Sequence, residues 1–221
     1  MASAWERSSP GAWCVRVVAC VVVGVLAVSG VWLARLAPSL AGVVGGTPAV
    51  AAPLPESGWV VDPAVVDVDG GDGAGLAVGG ESSWLWVPSV GVSAPIDRIQ
   101  IVDGVLTPPA DGSRVGRWSG GAGLGDDVGT VLVTGHVAVA GVPGALWRLS
   151  EIEPGARLVT ADEAGRLTEW VASELRVTAA EDLHEDLFWP GGDRRLALVT
   201  CAGRVAAGVY TSGVVVIARP V

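Results

Sequence analysis

From residue 83 onward the chain is a succession of short runs rich in Val, Leu, Ile, Thr and Trp, each closed by Gly, Pro, Asp or Ser. Such residues suit a pleated, half-buried surface, and turn formers at these intervals make the backbone reverse repeatedly. Strands are expected over residues 83–87, 96–102, 129–134, 157–161, 167–178, 195–200 and 213–218. Short helical turns are expected at 144–149 and 181–187. Six or more strands with so little helical periodicity specify an all-β fold, a barrel or a sandwich. With 221 residues, 50% of them hydrophobic, the chain can pack one ordinary domain with attachments.

One attachment is an uncharged run at residues 17–34, just long enough to cross a bilayer as a helix. Arg7 and Arg16 precede it and Arg35 follows it directly, which favours a cytoplasmic N-terminus. A cleaved signal peptide is the competing reading, because Pro38-Ser39-Leu40-Ala41-Gly42 offers small residues to a peptidase. The expected organisation is a cytoplasmic tail at 1–12, a single-pass anchor at 13–36, a tether at 37–80 and an extracytoplasmic domain at 81–221. The tether is rich in Pro, Gly and Asp and carries carboxylates with no basic residue, the composition of a self-repelling linker.

The formal net charge of −9 excludes a nucleic-acid partner, which needs a basic face. All 14 basic residues are arginine, so any mechanism that requires a catalytic lysine is excluded as well.

Two of the 3 cysteines, Cys14 and Cys20, lie at or within the apolar N-terminal run. The exported domain therefore carries a single thiol, Cys201, with no second cysteine to form a disulfide, which points to retained reactivity. A thiol attacks a carbonyl only as thiolate and so needs a proton acceptor beside it. His136 is one of 2 histidines and ends the run Val131-Leu132-Val133-Thr134-Gly135, as Cys201 ends Leu196-Ala197-Leu198-Val199-Thr200. In adjacent strands the two side chains would meet at one rim, as a Cys–His nucleophilic centre.

Thr134-Gly135-His136 and Leu198-Val199-Thr200-Cys201 resemble the two signature segments of sortases, the cysteine transpeptidases of Gram-positive surfaces. The resemblance runs from about Trp84 to the C-terminus. It includes the Pro-bearing segment 87–96, the turn Asp103-Gly104, the stretch Gly116-Arg117-Trp118-Ser119 and Pro143-Gly144-Ala145-Leu146-Trp147. The sequence is most similar to the class F group of actinobacterial sortases. The resemblance implies a closed eight-stranded β-barrel that cleaves a Leu-Pro-x-Thr-Gly type sorting signal of secreted surface proteins through a Cys201 thioester. The acyl group would pass to an amine of a peptidoglycan precursor or a pilin, with His136 moving the protons. No metal and no organic cofactor is implied.

Sortases also carry an arginine on the strand after the cysteine. At the corresponding place this chain has Thr211 or Ser212, and only Arg204 and Arg219 follow Cys201. Arg204 is the expected third catalytic residue, and Arg219, Arg194 and Arg195 are the alternatives. A non-catalytic or hydrolysis-only barrel that binds sorting signals is the second functional reading. An L,D-transpeptidase is disfavoured, because no histidine follows His184. His184 itself lies among carboxylates and reads as a surface ion-pairing residue, Asp126-Asp127 as a solvated turn, and Trp118 and Trp147 as packing residues that could flank the site.

Overall fold

Some strands of this chain alternate and others are apolar throughout, and that difference separates the two sides of the molecule. Ser83–Val87 alternates, with Leu85 and Val87 fully buried and the rings of Trp84 and Trp86 half-buried on the opposite face, 5.9 Å apart. Thr130–Gly135 is instead buried at every position, so both of its faces are covered.

The computed structural model describes residues 54, 58–60, 82–179, 183–206 and 209–221, without the side chains of 204–206 and 209. The expected tail and anchor, and nearly all of the tether, lie outside the described residues. In chain order the strands are β1 (Trp59–Val60), β2 (Ser83–Val87), β3 (Val92–Ile99), β4 (Ile101–Val102), β5 (Val105–Leu106) and β6 (Val115–Trp118). They continue with β7 (Thr130–Gly135), β8 (Ala138–Val139), β9 (Val142–Pro143), β10 (Arg157–Ala161), β11 (Leu167–Ala179), β12 (Arg195–Ala206) and β13 (Val209–Pro220). Short 3-10 turns occupy Pro88–Val90, Leu149–Glu151 and Glu185–Phe188.

The ring runs β11-β10-β2-β3-β6-β7-β12-β13 and closes by antiparallel pairing of β13 with β11. Eight strands therefore form the closed all-β barrel, as expected. The pairs β3–β6 and β7–β12 are parallel and the others antiparallel. Within the tether, Trp59 and Val60 pair with Leu175 and Glu174, extending the β11 edge beyond β10.

Alternate residues of the same strands build two apolar clusters. Val131, Val133, Leu196, Leu198, Val214 and Val216 point into the barrel. Their neighbours Leu132, Ala197, Val199, Val215 and Ile217 face outward, where Leu106 and Leu187 cover them. The covering layer has two parts: the β4–β5 hairpin and the 183–188 segment that joins β11 to β12. Asp103 (φ 52) and Gly104 (φ 77) turn the hairpin with both residues left-handed, the two-residue turn an Asp-Gly pair favours. Asp186 pins the 183–188 segment by accepting from Arg176 of β11 and Arg195 of β12, each at 3.1 Å. Burial pushes the Asp186 carboxyl up, but the two guanidiniums outweigh it and hold the group below its ordinary value.

Leu187 is 1% exposed and is the apolar anchor of this segment. Leu187→Ala is expected to cost about 2–5 kcal/mol, the range for emptying a buried leucine site, read as a lower urea midpoint at constant slope.

Four of the seven expected strands, 83–87, 129–134, 157–161 and 167–178, fall within a residue of their expected bounds. The strands expected at 195–200 and 213–218 are longer, Arg195–Ala206 and Val209–Pro220, because they pair with each other over most of that length, so Cys201 stands inside β12 and not at its end. Two further differences concern β3 and β6. The strand expected at 96–102 starts at Val92, since Pro95 sits inside it without interrupting either pairing, and it ends at Ile99, beyond which Ile101–Val102 pairs separately with β5. β6 was not expected, since Val115-Gly116-Arg117-Trp118 has neither alternation nor an apolar run. It is held as a strand by neighbours on both edges.

Candidate active site

The parallel pair β7–β12 runs in register from Thr130 opposite Arg195 to Thr134 opposite Val199. Two residues further along stand His136, just past the end of β7, and Cys201, within β12, in step with the outward-facing Leu132 and Val199. Two hydroxyls lock these two stretches together. Thr134 Oγ1 donates to the Val199 carbonyl at 3.1 Å, and Thr200 Oγ1 donates to the Gly135 carbonyl at 2.9 Å. Both threonines are buried, so neither bond competes with water and the spacing of the two stretches is firmly set.

His136 and Cys201 line one groove together with Pro108, Thr178, Leu183 and Tyr210. Leu183 belongs to the covering segment pinned by Asp186, and Pro108 follows the β4–β5 hairpin. Between Pro108 and β6, Arg114 makes a bidentate ion pair with Asp97 of β3. Cys201 is the only cysteine among the described residues and is half-buried.

His136 is 8% exposed. Burial lowers its pKa from the ordinary 6.5, and a ring N–H donated to the Pro109 carbonyl offsets part of that effect. That bond also selects a tautomer, leaving the second ring nitrogen of the neutral imidazole as a proton acceptor. Because the folded value is the lower one, the unfolded chain binds this proton first as the pH falls. The resulting contribution to stability is complete above pH 6.5 and is lost as the pH falls through the folded value. The urea midpoint is expected to decline with pH below 6.5, and His136→Gln is expected to remove that part of the decline.

The arginines fall elsewhere. Arg194 donates to the Leu124 carbonyl at 2.8 Å with its guanidinium 5.0 Å over the Trp170 ring, and Arg195 donates to Thr130 and Asp186. Both lie at the start of β12, roughly 20 Å along the strand from Cys201 at 3.3 Å per residue. Arg219 lies near the far end of β13, its guanidinium 3.9 Å from Asp193. None of the three reaches the groove. Arg204 sits in a β12 irregularity between Ala202 and Val205, and its side chain lies outside the described residues. Among the described residues no arginine lines the groove.

The other singled-out residues take structural places. Asp126 accepts the Gly123 N–H at 2.7 Å and closes an exposed turn. His184 is 78% exposed and 3.4 Å from Asp186. Trp118 meets Phe188 edge to face under the covering segment, and Trp147 stacks with Arg148. Neither tryptophan lines the groove. Pro109, Thr178 and Gly213 were given no role from the sequence, and Thr134 and Thr200 appeared there only as members of the two signature segments. The signal for both threonines was their place beside His136 and Cys201 in those segments.

Fold and groove together define a closed barrel with a thiol–imidazole cleft on its outer wall. Residues 85–221 match the family model of the Sortase domain, which is more than half of the chain, and the protein belongs to the sortase family. Its fold is similar to that of sortase C-1 from Actinomyces oris (21% identity, TM-score 0.51, 63% of this chain and 73% of that one). It is similarly close to a lid mutant of sortase A from Corynebacterium diphtheriae (19% identity, TM-score 0.51, 66% and 73%). Sortase C1 from Streptococcus agalactiae gives 17% identity and a TM-score of 0.51 over 67% and 72%. No curated protein sequence matches the chain.

Proposed function

We propose that the protein is a membrane-anchored cysteine transpeptidase of the class F kind, acting outside the cytoplasmic membrane on Leu-Pro-x-Thr-Gly type sorting signals. The observation that carries this reading is the meeting of His136 and Cys201 in one groove of a sortase domain. Cys201 attacks the carbonyl of the Thr-Gly bond as thiolate, and the electron pair of the C=O moves to oxygen. Collapse expels the glycine amine, which takes a proton from His136, and leaves a thioester. An amine of a peptidoglycan precursor or pilin then attacks the thioester, gives its proton to His136 and departs as the new amide with the thiol restored. Dividing the transfer into two acyl steps replaces one difficult displacement by two easier ones. Arg204 is proposed as the third catalytic residue, binding the substrate. The anchor at 13–36 holds the domain at the membrane and the tether at 37–80 gives it reach into the wall.

The low pKa of His136 has a kinetic consequence. At neutral pH most molecules hold the imidazole neutral, so the imidazolium that protonates the leaving amine is the minor form.

The test is cleavage of a fluorogenic panel of Leu-Pro-x-Thr-Gly type peptides by the full-length chain, with hydroxylamine trapping of the acyl-enzyme. Cleavage with trapping supports transpeptidation. Binding of the peptides without a trappable thioester establishes the non-catalytic barrel instead, and trapping with release only to water establishes a hydrolase.

A further inference from the structure

Cys201 of β12 pairs with Gly213 of β13, and Gly213 pairs in turn with Thr178 of β11. The three residues form one row across three strands on the outward face, and the middle one has no side chain. The result is a notch beside the thiol. All three residues line the groove that contains His136.

Thr178 Oγ1 stands at the far wall of this notch, 3.2 Å from where a Cβ on Gly213 would be. The oxygen is buried, with less than 1 Å² accessible, and has no hydrogen-bond partner among the described residues. A buried hydroxyl without a partner is costly, and native structures retain few of them. Two neighbouring threonines, Thr134 and Thr200, are both satisfied by backbone carbonyls. Rotation of the hydroxyl hydrogen about the Cβ–Oγ1 bond aims the Thr178 O–H into the notch without moving the oxygen or breaking a bond.

Distances across the row make this rotation useful. Cβ atoms of directly opposed residues are roughly 5 Å apart, so a carbonyl carbon joined to the sulfur of Cys201 lies above Gly213 with its oxygen toward Thr178. We infer that Thr178 is a catalytic hydrogen-bond donor to the oxyanion that forms when Cys201 attacks an acyl group, and that Gly213 is glycine to leave that oxygen its place. The inference rests on the proposed acyl transfer at Cys201, but not on the identity of the sorting signal. It assigns to β11 and β13 the electrostatic role that an arginine on the last strand would fill.

The test uses the full-length chain and two small reagents. p-Nitrophenyl acetate acylates the thiolate through an oxyanion: the C–S bond forms, the carbonyl pair moves to oxygen, and collapse expels p-nitrophenolate. Iodoacetamide alkylates the same thiolate by displacing iodide, with no oxyanion, and both adducts are read at Cys201 by peptide mass because Cys14 and Cys20 are thiols too. Thr178→Val keeps the shape and removes the hydroxyl. It is expected to slow acylation by on the order of 10²-fold, the usual loss for one oxyanion donor, while alkylation stays within about twofold. Its Tm is expected to equal or exceed that of the wild type, because the variant deletes an unsatisfied buried group. Thr178→Ser is expected to retain acylation.

An acylation-to-alkylation ratio unchanged in Thr178→Val overturns the inference. So does a lower Tm with acylation and alkylation falling together, which would make Thr178 a structural support. Loss of acylation on Tyr210→Phe with none on Thr178→Val overturns it in favour of the phenol. Failure of the wild type to cleave sorting peptides would remove the sorting reaction while leaving the ester measurement intact.

Discussion

Cys201→Ala is expected to abolish acyl-enzyme formation, a loss of at least on the order of 10⁴-fold in peptide cleavage, with the fold retained. The expectation of an intact fold has a physical basis. Cys201 stands at the groove and is only half-buried, whereas the stretch around it is held by Thr134, Thr200 and the paired β13. Exchange for alanine removes one sulfur from the edge of the outer cluster, so the urea midpoint is expected to fall little. His136→Gln in the same assay is expected to lose about 10² to 10⁴, the span for a positioned acid–base group, and to leave a slow thioester still trappable by hydroxylamine. The two variants thus separate the roles: one removes the covalent intermediate, the other slows proton transfer to and from it. Mass spectrometry of the trapped enzyme distinguishes them directly.

Gly144→Ala is expected to lower peptide cleavage by about 10²-fold without touching a reacting atom. A Cβ at Gly144 would stand 2.3 Å from the His136 carbonyl oxygen and 2.7 Å from its carbonyl carbon. Both are backbone atoms, so no side chain can swing aside, and the His136 backbone must shift. That backbone is also held by the Leu146 N–H, which donates to the His136 carbonyl at 3.1 Å. A displacement of the order of 1 Å in a positioned group costs about 10²-fold in rate. The expected signature is a fall in kcat, a destabilisation of about 1–3 kcal/mol from overpacking, and a changed pH dependence of Cys201 alkylation. An unaltered kcat would show that the 136–146 backbone yields freely, contrary to the close contact observed.

The strands most easily read from the sequence are those whose burial has a simple period. Ser83–Val87 alternates and Arg157–Ala161 is a compact β-type run, and both appear at their expected bounds. β6 was invisible because Gly116 and Arg117 owe their conformation to β3 and β7, which lie far from them in sequence. The candidate pair was legible because His136 and Cys201 each terminate an apolar run, and such runs mark strands buried on both faces. The supporting residues were not legible. A threonine that clamps a neighbouring strand looks like any strand threonine until its partner carbonyl is known, and Pro109 contributes only a backbone carbonyl.

By itself the sequence determined the all-β character of residues 83–221, a thiol and an imidazole that each close an apolar run, and the resemblance to sortases. These are local properties, written in periodicity, turn chemistry and short motifs. Only the tertiary structure decided that β7 and β12 are parallel neighbours, which sets His136 beside Cys201. It also decided that Arg194, Arg195 and Arg219 are spent at the far end of the barrel, and that Gly213 opens a notch between Cys201 and Thr178. Strand order and register are long-range pairings, and a closed barrel satisfies them all at once. No window of sequence contains the neighbour that gives a residue its role.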